Sequence, residues 1–144
     1  MKMDIHRIDI WVAGFDDRPG GLAEKLRGLA EAGTNLHFLL ARRTPAHAGK
    51  AVVFVAPIQG ARQTRAAKLL GFHKSKSICG VQVVAGDQPG LGGVLTQSLA
   101  DSGINLRGLS GVTVGKRAVF DIAFDTASDA ARAIRILEKV AATR

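Results

Sequence analysis

Cysteine is almost missing from this chain: Cys79 stands alone, so no internal disulfide can form, and such usage fits a reducing compartment. Aromatic residues make up only 5% of the 144 positions, so a core has to be assembled from Ala, Val, Leu and Ile. No stretch approaches the ~18 apolar residues that a membrane helix needs. The opening MKMDIHRIDIWVAG carries Asp4 and Asp9 and lacks the apolar run of a secretory signal. A cytoplasmic protein with no membrane contact is the expectation. Charge is present but unfocused. The formal net charge is +8, yet Arg42, Arg43, Lys50, Arg62, Arg65, Lys116 and Arg117 and the rest form no block. Such a surplus favours anionic partners in general and first of all keeps a surface solvated. Reaction chemistry is missing as well. His6, His37, His47 and His73 have no metal-like spacing, and Cys79 has no Cys or His neighbour. Ser98, Ser102 and Ser110 have no base beside them. GDQPGLGG lacks the Lys-Ser/Thr that closes a phosphate loop. No catalytic residue, metal or cofactor is expected.

What the chain does contain is a repeat. DDRPGGLAEKLRGLAEAGTNL, from Asp16 to Leu36, recurs as GDQPGLGGVLTQSLADSGINL, from Gly86 to Leu106. At an offset of 70 positions, without a gap, Asp17/Asp87, Pro19/Pro89, Gly20/Gly90, Leu29/Leu99, Ala30/Ala100, Gly33/Gly103, Asn35/Asn105 and Leu36/Leu106 are identical. That period is too long for a solenoid repeat and suits two small folded halves. Alternating Ile8, Ile10 and Val12 predict a strand, and the Asp-x-Pro-Gly turn opens a helix with Leu22, Leu26 and Leu29 on one face. TNLHFLLARR and KAVVFVAP read as the next two strands, ARQTRAAKLLG as a second helix, and FHKSKSIC as a fourth extended segment. In the second half VQVVAG, the helix from Pro89 to Ser102, INLRGLSGVTV and RAVFDIAF repeat the order. A last helix follows, opened by Thr126 and Asp129 in capping-box fashion. The first half thus reads β-α-β-β-α-β, and the second β-α-β-β-α with no closing strand. This is an α+β chain of two ferredoxin-like units in tandem, 1–79 and 80–144, with antiparallel sheets and helices on one face.

The two Asp-x-Pro-Gly … Gly-x-Asn-Leu segments, each on a βαββα frame, resemble ACT domains, the small regulatory modules that bind amino acids in many biosynthetic enzymes. The resemblance covers nearly the whole chain as a tandem pair with no catalytic domain attached. The second half departs from the family pattern: Gly92 and Gly93 stand where the first helical turn usually carries a leucine. Physical chemistry gives the motif a use. A helix N-terminus offers unpaired N–H groups and a positive dipole end to a carboxylate. Gly20 and Gly90, after Pro19 and Pro89, allow close approach, and Asp17 or Asp87 can accept an ammonium. In the serine-regulated dehydrogenases of the family, the residue two before the proline and the Asn opening the second strand line the effector site. The resemblance thereby implies Asp17 and Asn35, and Asp87 and Asn105, with Leu36 and Leu106 beside the asparagines. It also implies that the ligand lies between two ACT units, one giving the turn and the other the Asn. The same residues allow a purely architectural reading, as turn, cap and loop.

The implied function is a non-catalytic regulatory protein that binds an amino acid or similar small carboxylate, and a homodimer is expected. An alternative is a regulatory subunit acting by contact on a separate metabolic enzyme. A third reading, an RNA-binding ferredoxin-like protein, is weak. In KRAVFDIAF, Ala118 stands where an exposed aromatic is needed and Asp121 is unhelpful beside phosphate, and KAVVFVAP lacks that aromatic too. Nucleic acid is therefore not an expected partner. The missing strand leaves VQVVAG with an unpaired edge. Met1–Arg7, FHKSKSIC or a second copy of the chain are the candidates to cover it.

Overall fold

The structure, a computed structural model, describes residues 1–143. Periodicity and turn chemistry become β1 (Met3–Asp16), α1 (Gly21–Glu31), β2 (Phe38–Arg43), β3 (Lys50–Ala56), α2 (Gly60–Leu69), β4 (His73–Gly86), α3 (Leu91–Asp101), β5 (Gly108–Val114), β6 (Arg117–Phe124) and α4 (Ala127–Thr143). FHKSKSIC and VQVVAG are thus one strand, β4. The second strand of each half starts later than the pattern suggested, at Phe38 and Gly108 rather than at the asparagines. Gly33 and Gly103 end the preceding helices with φ of +81° and +74°. Thr34 and Ile104 N–H groups then donate back to the carbonyls of Leu29 and Leu99, at 3.2 and 3.0 Å. Those are helix-closing bonds, and they delay the extended chain. Pairing begins only where His37 and Arg107 N–H groups reach Ala56 and Ala123, each at 2.8 Å. No helix among the described residues is long and apolar enough to cross a membrane.

The contacts divide the chain differently from its linear halves. One compact unit is Asp9–Ser75; the other joins Met1–Ile8 to Lys76–Arg144. In the first unit the strand order is β2-β3-β1, antiparallel throughout, with Trp11 opposite Val55 and Leu40 opposite Phe54. Its core joins Trp11, Ala13, Val53 and Val55 of the sheet to Leu29, Ala67 and Phe72. In the second unit the order is β1-β4-β6-β5, where β1 is represented by Met3–Ile8. Val81, Val83, Ile122 and Phe124 pack on Leu91, Leu95, Leu99, Ala133 and Leu137 of α3 and α4. Met1, Met3 and Ile5 lie against that core, and the Met1 ammonium donates to the Ala141 carbonyl at 3.0 Å. Of the three candidates for the uncovered edge, the N-terminal segment takes the place.

Gly92 follows from this packing, whereas a Cβ at Gly93 would meet nothing within 4 Å. Leu91 fills the buried position, and Gly92 and Gly111 flank the Phe120 ring: a Cβ would lie 3.4 Å from it at Gly92 and 3.0 Å at Gly111. The repeat also hides a pair that its motif did not reveal. Arg62 of α2 donates to the Glu31 carbonyl at the end of α1, at 2.9 Å, and Arg132 of α4 donates to the Ser102 carbonyl at the end of α3, at 2.8 Å. A guanidinium there satisfies an orphan carbonyl and meets the negative helix end. On the helix-free face of the second unit, Asp121 accepts from Gln82 Nε2 at 2.8 Å. Burial raises its carboxyl above the usual range, against the opposing effects of the Gln82 bond and the His6 charge.

Two outcomes follow. Arg132→Ala should cost about 1 kcal/mol in a urea titration, the net worth of a part-buried bond. Asp121→Asn should raise the melting temperature at pH 7, because a raised carboxyl pKa favours the native state only while the group is protonated. That contribution is whole below the ordinary carboxylate range and is lost as pH rises through the folded pKa. The advantage of Asn should therefore fade on acidification. An unchanged difference between pH 7 and pH 3 would assign the effect to packing instead.

Candidate functional site

Each repeat places its Asp-x-Pro-Gly between a strand and a helix. Gly20 and Gly90 are the N-caps of α1 and α3, both left-handed, with φ of +86° and +79°. Their carbonyls accept the first helical bonds, from Glu24 and Val94, each at 3.0 Å. Neither N-terminus has a side-chain cap. Pro19 and Pro89 therefore precede the cap instead of opening the first helical turn. Glycine is needed here for its backbone, since nothing lies within 4 Å of a Cβ placed at either position. The Gly21 and Leu91 N–H groups donate within the turn, to the Arg18 and Gln88 carbonyls at 3.0 and 3.3 Å. Without a side-chain cap, the N–H groups that follow them in the first turn are left to an outside acceptor.

Asp17 does not serve as the cap. Its Oδ2 accepts from Arg43 Nε at 2.8 Å, and its N–H donates to Gly49 at 3.0 Å. Beside it Asp16 accepts from Lys50 Nζ at 2.7 Å. That bond, followed by the charge on Lys50, lowers the Asp16 carboxyl below its usual value. A cavity of about 290 Å³ is bordered by Asp17, Gly20, Leu22, Ala41 and Arg43. The second turn is built alike in backbone and more loosely in side chains. Asp87 N–H donates to Lys116 at 2.8 Å, while its carboxylate accepts from the Thr113 hydroxyl, at 3.4 Å. Arg43, Lys50 and Asp16 carried no sequence signal of their own. The basic residues looked scattered because strand pairing, not chain order, gathers them at the turn.

Asn35 and Asn105 are exposed in the connections that follow α1 and α3. Leu36 and Leu106 are half-buried against the cores of their units. Within one unit the turn and the asparagine sit at opposite ends of an 11-residue helix. At 1.5 Å per residue they are about 16 Å apart along its axis. The structure therefore brings Asp17, Pro19 and Gly20 together, and likewise Asp87, Pro89 and Gly90, but neither set with its own asparagine. No small ligand can touch both within one unit. On β6, Ala118 is buried and Asp121 is half-buried. On β3, however, Phe54 lies on the helix-free face, which corrects the expectation that KAVVFVAP lacks an aromatic there.

No protein-family model matches the chain, and no curated protein matches it. Solved structures do. The ligand-free regulatory subunit of aspartate kinase from Thermus thermophilus is 20% identical with a TM-score of 0.65, over 96% of this chain and 94% of its own. Protein BT0572 from Bacteroides thetaiotaomicron is 16% identical with a TM-score of 0.73, over 95% and 89%. Aspartokinase alpha and beta subunits give 18% and 0.64, over 96% of both chains. At such identities the likeness shows the fold, which is the tandem ACT-type fold that the motif resemblance implies.

The turn geometry sets two expectations for denaturant titrations. Gly20→Ala should cost about 1 kcal/mol, because a side chain is strained at positive φ even in open space. Arg43→Ala should shift stability by less than about 0.5 kcal/mol, since its exposed ion pair is screened by solvent. Equal costs for both would place the turn's stability in the ion pair.

Proposed function

We propose that this chain is a non-catalytic regulatory protein that binds an amino acid or similar small carboxylate between ACT-type units. One unit gives the turn, Asp17-Arg18-Pro19-Gly20 or Asp87-Gln88-Pro89-Gly90, and another gives Asn105 or Asn35 with its neighbouring leucine. The observation that carries the reading is the helix start with a left-handed glycine and no side-chain cap, built twice beside an aspartate. A carboxylate completes such an N-terminus, and the aspartate accepts the ammonium of the same molecule. The first turn is the better equipped, because Arg43 holds Asp17 at the edge of a cavity. The asparagine then donates and accepts from the far side. Because each asparagine lies a helix length from its own turn, the ligand has to bridge units, and in a homodimer both copies contribute.

The likeness to the regulatory subunit of aspartate kinase supports a role in which the ligand alters contact with a separate metabolic enzyme. Binding that favours one arrangement of units over another is enough to pass that signal.

A thermal-shift screen of the twenty amino acids at millimolar concentration tests the reading, since a ligand bound only by the native state raises its melting temperature. At least one amino acid should give a rise. Calorimetry with that amino acid should then show Asn35→Ala or Asn105→Ala weakened by about tenfold or more, the equivalent of ~1.4 kcal/mol. Full affinity in both variants would remove the asparagines from the site, and no shift with any amino acid would sink the proposal.

A further inference from the structure

Gly14 sits inside β1, where a glycine weakens a strand through backbone entropy and marks a place that another group approaches closely. The fold does not ask for it. Gly14 is not among the glycines with positive φ, and a Cβ there would meet only the Ala51 carbonyl, at an ordinary 3.8 Å. What it does is leave a floor bare. Strand register sets Gly14 opposite Val52, Val52 opposite Arg42, and Val12 opposite Phe54. These side chains share the sheet face that α1 and α2 do not cover. A cavity of about 660 Å³ opens there, within the unit Asp9–Ser75, bordered by Gly14, Val52, Phe54 and Arg42 and, from α1, by Gly21, Glu24 and Lys25. It is in the size range of small-molecule sites. The Arg42 guanidinium carbon stands 6.0 Å from the centroid of the Phe54 ring. At the rim Lys50 pairs with Asp16 at 2.7 Å and Arg18 with Glu24 at 3.2 Å. Among the bordering residues Arg18, Lys25, Arg42 and Lys50 oppose Asp16 and Glu24: four Lys/Arg charges less two Asp/Glu charges leave a surplus of two.

The second unit supplies an internal control. Its strands pair in the same way: Val84 opposite Val119, Val119 opposite Val112, Gln82 opposite Asp121, and Gly86 opposite Arg117. Matching the two sheets puts Val84 at the place of Gly14, Gly86 at that of Asp16, Val112 at that of Arg42 and Asp121 at that of Phe54. The same fold is thus completed without the bare floor, the guanidinium or the aromatic ring. Those features answer to something other than folding.

We propose that this cavity binds a phosphate monoester carrying a flat ring, a ligand of the nucleoside monophosphate kind. The ring lies on the strand at Gly14 and Val52 against Phe54, where bare backbone and an aromatic edge form a flat apolar floor. Arg42 Nη1 donates to the Arg43 carbonyl at 3.3 Å; the phosphate takes the remaining donors of its planar fork. Charge decides between anions. A carboxylate brings one negative charge, whereas a phosphate monoester brings about 1.5 to 2 at neutral pH and matches the surplus of two. Asp17, Pro19 and Gly20 do not border this site, although Phe15, Arg18, Arg42 and Ala51 line both cavities. It does not depend on the amino-acid reading of the turns.

Calorimetry of the full chain with adenosine 5′-monophosphate tests it. The monophosphate should bind, with adenosine alone and inorganic phosphate alone each weaker. Gly14→Val, which writes Val84 into the first unit, and Arg42→Gln should each lower affinity about tenfold or more. Asp17→Asn and Asn35→Ala should leave it unchanged. Gly14→Val should melt no lower than the parent, since a β-branched residue suits a strand. The proposal is overturned if the monophosphate does not bind, if Gly14→Val and Arg42→Gln keep full affinity, or if inorganic phosphate binds as tightly. A lower melting temperature of Gly14→Val would overturn the claim that the fold does not need this glycine. A single-stranded oligoribonucleotide binding more tightly than the monophosphate would replace a small-ligand site with an RNA surface.

Discussion

A sheet with helices on one face has to end somewhere, and every strand edge left open is a row of unpaired N–H and C=O groups. The βαββα frame written second in this chain stops one strand short. β1 meets that constraint. It runs for 14 residues, and its first part, Met3–Ile8, belongs to the unit of the second half while its remainder belongs to the unit of the first. Met3 and Ile5 point into one core, and Trp11 and Ala13 into another. β4 is shared in the same manner, with His73–Ser75 in one unit and Lys76–Gly86 in the other. The division of the chain into compact units, and the places from which the β–α turns project, follow from those two long strands.

With the sheets completed, the helices still need ends. Both repeats solve the problem alike. A left-handed glycine starts the first helix, another finishes it, and an arginine from the second helix holds its last carbonyls. The C-terminal ends are thereby satisfied inside the protein, whereas the N-terminal ends have no side-chain cap. The asymmetry is what makes the turns candidates for an anionic group. A helix with both ends capped internally has little to offer a carboxylate.

The two units share a frame and differ in what they place on it. At the first turn Asp16, Asp17, Lys50 and Arg43 form two ion pairs; at the second, glycine takes the place of Asp16 and Asp87 accepts from a threonine. On the helix-free faces the contrast is sharper. One presents Phe54 beneath Arg42, and the other a Gln82–Asp121 bond with a carboxyl whose pKa burial raises. A duplicated fold lets one copy keep the packing while the other acquires chemistry, since the strand pairing that supports both is indifferent to side chains on the open face.

Sequence by itself determined the repeat, the order of strands and helices, the glycine-dependent turns and the ACT-type frame. Each of these is written in local terms: a period of two or of 3.6, a residue that tolerates positive φ, a proline before a helix. It also carried the candidates Asp17 and Asn35 and the helix that separates them. The late start of β2 and β5 escaped it, because helix-closing bonds after Gly33 and Gly103 outweigh strand propensity in the residues that follow. Only the tertiary structure decided that Met1–Ile8 completes the unit of the second half, since nothing in an alternating strand says which sheet it joins. Only the tertiary structure, too, gathered Arg42, Arg43, Lys50 and Asp16 at one turn and set a bare Gly14 beside Phe54. Those neighbours are far apart along the chain and meet through register, a property of paired strands that no single strand contains.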